Sequence, residues 1–231
     1  MSKNKDAYYD NRIVFKPWGH EYVVYRYKNI LSVTLLNINP NKSTSLHCHP
    51  IKKTGFVLLD GKALIQLGLW KSERKIYESP SKLMIRTGLF HSIKCISKKP
   101  LLALEFETPI NKNDLVRFND KYGRERKPYE QGKKFTNLNK DKNFYKLYKF
   151  KEKTEYVFGK TIVKLEIHKN FKKLVSEKNN TIFAVLNGSV CSKKKQKILS
   201  PGDIIRTGTF KKLAKVFKID KKLTVLKINN E

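Results

Sequence analysis

The chain has 231 residues, 39% of them hydrophobic, enough to bury the core of one large β domain or two of ordinary size. It carries 50 Lys and Arg against 20 Asp and Glu, a formal charge of +30. Of the basic residues 42 are lysines, spread along the chain without a recognisable helix-turn-helix, zinc-finger or RNA-recognition sequence, which argues against specific nucleic-acid binding. No stretch approaches the roughly 18 apolar residues that span a bilayer, and the first residues lack the apolar core of a signal peptide. We therefore expect a cytoplasmic protein without a membrane partner.

Short runs of β-branched and aromatic residues follow one another along the first half of the chain, separated by Gly, Pro, Asn and Asp. This rhythm predicts an all-β sandwich or barrel. The predicted strands are 22–25, 30–38, 55–59, 62–67, 83–85, 90–96 and 101–107. Asp60-Gly61 and Asn187-Gly188 predict hairpin turns, because these residue types tolerate positive φ.

Three of the five histidines fall in two short motifs. His47 and His49 lie in Thr-Ser-Leu-His-Cys-His-Pro (44–50), and His91 ends Ile-Arg-Thr-Gly-Leu-Phe-His (85–91). Residues i and i+2 of a strand point to the same face, and a third imidazole from a later strand would complete a metal site suited to Zn, Fe, Ni or Mn. The alternative, two surface histidines on a half-exposed strand, does not account for the third histidine behind a glycine turn.

Two parts of the chain repeat one pattern. Phe-Val-Leu-Leu-Asp-Gly (56–61) matches Phe-Ala-Val-Leu-Asn-Gly (183–188), and Ile-Arg-Thr-Gly (85–88) recurs at 205–208, each followed by a predicted strand pair. The sequence therefore predicts two copies of one β unit, with an N-terminal metal-binding unit at 1–130, a polar Lys- and Asn-rich connection at 131–150 and a degenerate unit at 151–231.

The second copy lacks the histidines. Lys211 stands where the first copy has His91, and Leu174 and Ser176 are opposite the other two histidines. We therefore expect the C-terminal unit to be free of metal.

The motifs resemble those of the cupins, jelly-roll barrels built as a double-stranded β-helix, in which an HxH pair and a later histidine bind a metal. More narrowly, the chain resembles the C-terminal cupin domain of type II phosphomannose isomerases. Lys-Pro-Trp-Gly (16–19) is similar to that family's Arg-Pro-Trp-Gly, and Asn-Asp-Leu-Val-Arg-Phe-Asn-Asp-Lys-Tyr-Gly-Arg (113–124) to its Asp-Asp-Ile-Val-Arg-Phe-Glu-Asp-x-Tyr-Gly-Arg. The resemblance covers residues 16–124 and implies a bicupin, with two cupin repeats in one chain.

The resemblance also implies a ligand set. His47, His49 and His91 would hold one divalent ion, Zn foremost, with Mn, Fe or Ni as alternatives. Where the family has Glu-His-Trp, this chain has Thr-Gly-Phe (54–56), with two residues inserted after His49, so the usual carboxylate ligand is absent.

An aldose–ketose isomerase needs a metal, a base that moves a proton between adjacent carbons, and cations that hold a phosphate. Glu105 and Glu107 share one face of the predicted strand 101–107, so they are the candidate bases, and one of them could replace the missing ligand if that face lines the barrel. The alternative is an exposed strand end. The phosphate candidates are Lys53, Arg117 and Arg124, and the alternative for the two arginines is a salt-bridged helix or turn.

The sequence predicts an isomerase or epimerase acting on a small sugar phosphate or related sugar. Two alternatives stay open: a non-catalytic sugar-binding or regulatory cupin, and an Fe-dependent dioxygenase or lyase. A homodimer paired through strands is a further expectation, since exposed strand edges favour pairing.

Overall fold

The computed structural model describes residues 9–125, 135–137, 152 and 154–230. These residues form β structure with two short α-helices and a turn of 3-10 helix (Lys71–Glu73), and each of the seven predicted strands falls on an observed one. None of the helices in the described ranges is long and apolar enough to cross a membrane. The strands of the first unit are β1 (Arg12–Lys16), β2 (Gly19–Tyr27), β3 (Leu31–Ile38), β4 (Leu46–Cys48), β5 (Lys53–Asp60), β6 (Lys62–Leu67), β7 (Arg74–Glu78), β8 (Ser81–Ile85), β9 (His91–Cys95), β10 (Leu101–Thr108), β11 (Val116–Asn119) and β12 (Phe135–Asn137).

Two sheets make up the first unit. One has seven strands in the order β12-β1-β2-β3-β10-β5-β8, and the other has five in the order β11-β4-β9-β6-β7. Side chains from both sheets meet in one buried cluster that includes Leu36, Phe56, Ile65, Ile93 and Ala103. The core of the first unit therefore lies between its two sheets, as in a jelly roll.

β10 shows how strand alternation positions the site. Leu101 and Ala103 belong to the cluster between the two sheets, whereas Leu102, Leu104 and Phe106 belong to a second cluster on the other side of the seven-stranded sheet. Since side chains alternate along a strand, residues 105 and 107 point into the first unit with 101 and 103.

The second unit is a six-stranded sheet with two helices. Its strands pair in the order β13-β14-β18-β15-β16, with β17 also pairing β15. The elements are β13 (Glu155–Phe158), β14 (Thr161–His168), α1 (Lys172–Ser176), β15 (Ile182–Cys191), β16 (Lys197–Leu199), β17 (Ile204–Arg206), α2 (Thr207–Leu213) and β18 (Lys218–Asn230). The predicted all-β double-stranded β-helix with two units is thus confirmed, although the strands do not close into a continuous barrel.

Apolar side chains fill the interior of the second unit. Leu174 of α1 and Phe210 of α2 are fully buried against the sheet, and the rings of Phe210 and Phe183 are 5.2 Å apart in an edge contact. Lys211, the counterpart of His91, lies on α2 and donates to Asn179 Oδ1 at 2.8 Å. The sequence repeat predicted two strands after residues 205–208, and helix α2 lies where the first of them was expected.

The two units share a core. The outward side chains of β10 pack in one cluster with apolar residues of the second unit, among them Ile182, Ile204 and Leu226. β3 is buried along almost its whole length because one of its faces contributes to this shared core and the other to the core of the first unit. The backbone at Gly202 also lies close to the side chain of Thr108, since a Cβ on Gly202 would lie 2.2 Å from Thr108 Oγ1.

Neither of the two predicted hairpin turns connects a hairpin, so these predictions are wrong, but the glycine of each has the positive φ that was expected. Gly61 has φ of 94° and connects β5 to β6, which lie in different sheets, so it turns a corner between sheets. Gly188 has φ of 84° and lies inside β15, where the register with β18 shifts. Positive φ at glycine permits either a hairpin or a bend within a strand, and the local sequence does not distinguish them.

Most of the predicted connection at 131–150 lies outside the described residues. Within it, β12 pairs antiparallel with β1 at the edge of the seven-stranded sheet.

Candidate metal centre and active site

Strand pairing brings the three predicted metal ligands together. His47 of β4 is the direct cross-strand partner of His91, the first residue of β9, and His49 follows β4 by one residue. The ring centroids are 4.4 Å apart for His47 and His91, 5.0 Å for His47 and His49, and 5.3 Å for His49 and His91. One ligand nitrogen from each ring can be chosen so that all three lie within 4.8 Å of one another.

Backbone carbonyls orient the three rings. Each Nδ1 donates to a carbonyl oxygen, and the acceptors are Ser45 at 2.8 Å for His47, Asp114 at 2.5 Å for His49 and Leu89 at 3.0 Å for His91. A carbonyl oxygen can only accept, so each Nε2 keeps its lone pair for a metal.

The Nε2 atoms of His49 and His91 are buried and have no hydrogen-bond partner among the described residues. Unsatisfied buried acceptors are rare in folded proteins, and a metal ion would satisfy both of these. The residues present therefore fit a bound divalent ion.

The electrostatic environment keeps the imidazoles neutral. Burial lowers the pKa of His91 to about 4, and burial together with the charge of Lys52 lowers the pKa of His49 to about 3. Burial and the two neighbouring imidazoles hold the pKa of His47 well below its ordinary value. Neutral imidazole is the form that binds metal, so the cluster is ready for an ion at neutral pH.

Lys52 is a site residue that the sequence analysis missed. It is only 3% exposed, lines the pocket beside the histidines, pairs with Glu107 and donates to the Asn111 carbonyl at 3.2 Å. The predicted neighbour Lys53 lies outside the pocket, with its Nζ 2.5 Å from Asp203 of the second unit. Counting back by twos from the inward-facing Phe56 would have indicated Lys52.

Glu107 lies between two buried lysines. One carboxylate oxygen pairs with Lys52, and the other accepts from Lys112 at 2.6 Å. Burial alone would raise the pKa of Glu107, but the two ammonium groups outweigh it and lower this pKa. Burial alone would lower the pKa of Lys112, but Glu107 outweighs it and raises this pKa, so Glu107 and Lys112 are both charged at neutral pH.

Glu105 faces the same pocket in a different state. It forms no hydrogen bond or ion pair with any residue in the described ranges, and burial followed by the charge of Glu107 raises its pKa to about 8. Two carboxyl groups on one strand face are therefore held in opposite protonation states at neutral pH, which is the usual arrangement for separate acid–base roles.

The two predicted arginines also line this pocket. Arg117 of β11 is the cross-strand partner of His47, and its Nη1 donates to the Arg124 carbonyl at 3.3 Å. Arg124 binds Asp120 with two hydrogen bonds of 2.7 and 2.9 Å, and its guanidinium lies over the Tyr122 ring. The salt-bridged turn considered from the sequence is thus observed for Arg124.

Residues 3–120 match the model of a family described as mannose-6-phosphate isomerase C-terminal. The matched range contains the three histidines, both glutamates, both lysines of the 52–53 pair and Arg117, and it ends before Arg124. A mannose-1-phosphate guanylyltransferase of Salmonella montevideo is 27% identical over 124 residues, which are 53% of this chain and 26% of that protein. The chain thus spans about a quarter of the length of this curated relative.

Several solved structures are similar in fold. A Klebsiella pneumoniae protein with a double-stranded β-helix domain is 15% identical, with a TM-score of 0.39 over 43% of this chain and 79% of that chain. The Staphylococcus aureus capsular polysaccharide assembling protein CapF is 15% identical, with a TM-score of 0.40 over 47% and 34%. The cupin domain of Schizosaccharomyces pombe Cnp3 is 11% identical, with a TM-score of 0.36 over 39% and 64%.

Proposed function

Because the chain belongs to the mannose-6-phosphate isomerase C-terminal family, we propose that it is a metal-dependent isomerase or epimerase of a sugar phosphate or related sugar. One observation carries this proposal. Three neutral imidazoles with convergent nitrogens share a pocket with Glu105, a carboxyl group that forms no hydrogen bond or ion pair with a described residue.

His47, His49 and His91 would hold the ion, with Zn as the first expectation and Mn, Fe or Ni as alternatives. When bound, the ion would polarise the substrate carbonyl and make the adjacent C–H more acidic.

Glu105 would move the proton. Isomerisation takes a proton from one carbon and returns one to its neighbour, so it needs a group whose pKa lies near the working pH. Glu105 meets this requirement because its pKa is raised to about 8. Glu107 is fixed as a carboxylate by Lys52 and Lys112, so we assign it the role of holding these two cations at the pocket.

Arg117 is the best placed of the three predicted phosphate ligands. It pairs with His47 across the sheet and lines the pocket, and a guanidinium can bind two phosphate oxygens at once. Lys53 pairs with Asp203 outside the pocket, and Arg124, which lines the pocket, pairs with Asp120.

The test is solvent deuterium exchange into a panel of hexose and pentose phosphates, followed by NMR, with the protein loaded in turn with Zn, Mn, Co and Ni. We expect aldose–ketose conversion or epimerisation of one substrate, with turnover reduced about a hundredfold or more by Glu105→Gln. The matched control is Glu155→Gln, an exposed glutamate of the second unit that should leave turnover unchanged. Absence of both exchange and conversion with every metal would overturn the proposal.

A non-catalytic sugar-binding cupin is the second candidate. Two observations favour it. Lys52 places a cation in the pocket, and the carboxylate ligand expected from the family motif is absent from this chain. Binding of a sugar phosphate without deuterium exchange would support this candidate, whereas oxygen uptake with Fe(II) and a substrate would support the dioxygenase alternative.

A further inference from the structure

Lys52 is a buried cation beside a cluster built to bind another cation. It is almost fully buried and lines the same pocket as all three imidazoles. A positive charge at this place opposes a divalent ion, because like charges repel strongly where water is excluded.

Lys52 also lines the same pocket as the nitrogens that would bind the ion. The Nε2 atoms of His49 and His91 have no hydrogen-bond partner among the described residues, and an ammonium group is a strong donor. An ammonium turned toward these nitrogens would occupy the lone pairs that the metal needs.

Glu107 and the Asn111 carbonyl direct the ammonium elsewhere. Lys52 Nζ pairs with Glu107 and donates to the Asn111 oxygen at 3.2 Å. The backbone of the same loop is fixed by the Asp114 carboxylate, which accepts from the amide of Lys52 at 2.8 Å and from that of Ile51 at 3.1 Å. The backbone at Lys52 is therefore fixed, and the side-chain torsions alone determine whether its ammonium points to the Glu107 carboxylate or to the imidazoles.

Asp114 connects this loop to the metal site as well, since its carbonyl oxygen accepts from His49 Nδ1 at 2.5 Å. The loop that carries Lys52 and the ring of His49 are thus held by one residue, and their relative position is set by the fold. The direction of the lysine depends on Glu107.

We propose that Glu107 is a positioning residue for metal binding, which holds the Lys52 ammonium away from the histidine nitrogens and offsets its charge. This inference rests on the metal site of the proposed function. It predicts that Lys52 weakens metal binding and that Glu107 strengthens it chiefly through Lys52.

The test is a double-mutant cycle on the affinity of the full chain for Zn²⁺, measured by competition with a chromophoric chelator at neutral pH. We expect Lys52→Met to lower the dissociation constant about fivefold or more, and Glu107→Gln to raise it about tenfold or more. In the double variant Lys52→Met/Glu107→Gln, most of the loss should be recovered, which a merely structural effect of Glu107 would not allow.

Lys94→Met is the matched control. Lys94 is on β9, the strand of His91, but its side chain alternates to the outer face of the sheet and lines no part of the histidine pocket. This variant should leave the dissociation constant within about twofold of wild type. Circular dichroism checks the fold of each variant, and Lys52→Met remains decisive if Glu107→Gln does not fold, because methionine replaces the unbranched chain of lysine, one atom shorter, without its charge.

The outcomes separate the two proposals. A Zn²⁺ affinity unchanged by Lys52→Met, or a loss in Glu107→Gln that Lys52→Met does not recover, overturns the inference while leaving the metal site intact. Absence of Zn²⁺ binding in the wild type overturns both the metal site and the inference. The expected affinities without any isomerase turnover overturn only the proposed reaction.

Discussion

Glu105→Gln should change the pH dependence of stability in a direction that is fixed by its environment. The pKa of Glu105 is raised from 4.5 to about 8, chiefly by burial and then by Glu107. Between pH 4.5 and about 8 the carboxyl group of Glu105 therefore keeps its proton in the folded protein, whereas the unfolded chain has released it. The stability from this group is complete below pH 4.5 and is lost as the pH rises through 8.

The magnitude follows from the same two pKa values. Each pKa unit corresponds to about 1.4 kcal/mol, so the interval from 4.5 to about 8 corresponds to roughly 5 kcal/mol at most. Glu105 keeps some contact with solvent in the pocket, which reduces the cost of its charge. We expect a net effect of about 2–3 kcal/mol.

The assay is urea unfolding of wild type and Glu105→Gln at about pH 5 and about pH 9, with chelator present, followed by the fluorescence of buried Trp18. The difference between the two free energies of unfolding should move in favour of Glu105→Gln by about 2–3 kcal/mol between these pH values. Titrating groups that do not interact with Glu105 are common to both proteins and cancel in the difference. Parallel pH profiles would refute the burial of an unpaired carboxyl at this position.

Three further predictions concern single features of the fold and the site. Phe210→Ala should lower the free energy of unfolding in urea by about 3–5 kcal/mol, because it empties the centre of the second unit, without changing metal content. His91→Ala should abolish stoichiometric metal measured by mass spectrometry on protein purified without chelators or a tag; retained metal would contradict the three-histidine site. A double-mutant cycle on Lys53 and Asp203 should give a coupling of about 1 kcal/mol or less, as this pair between the units is partly exposed; a larger value would show that it organises the interface.

Spacing alone predicted the histidine cluster, because strand alternation and one glycine turn determine where the three histidines point. The same alternation placed Glu105 and Glu107 on one face, and the structure adds that this face lines the pocket. The sequence could not assign opposite protonation states to these carboxyls, since the difference comes from Lys52 and Lys112, which reach Glu107 from separate loops. Proximity in sequence to the histidines indicated Lys53, but the alternation of side chains back from Phe56 places Lys52 in the pocket and Lys53 outside it.

The fold class was predictable from the rhythm of short strands, but the form of the second unit was not. The repeat suggested a strand after 205–208, whereas Thr207–Leu213 forms α2. Phe210 and Leu213 are three residues apart, the spacing of one helical face, and both pack on the second core. A segment that has no neighbouring strand to pair with can adopt the helix that its own sequence favours. A repeat in the sequence does not show whether that neighbouring strand is present in the second unit.

The shared core joins the two units of the chain into one packed structure. Both sides of the contact are sheet faces rich in fully buried aliphatic and aromatic side chains, such as Leu104 and Phe106 on one side and Ile182 and Leu226 on the other. If the units were separated, each would present a broad apolar sheet face to water, and we expect such a fragment to aggregate rather than to remain a working half. The second unit thus covers an apolar sheet face of the first with one face of its own sheet. The other face of that sheet encloses a separate core of phenylalanine, leucine and other apolar side chains.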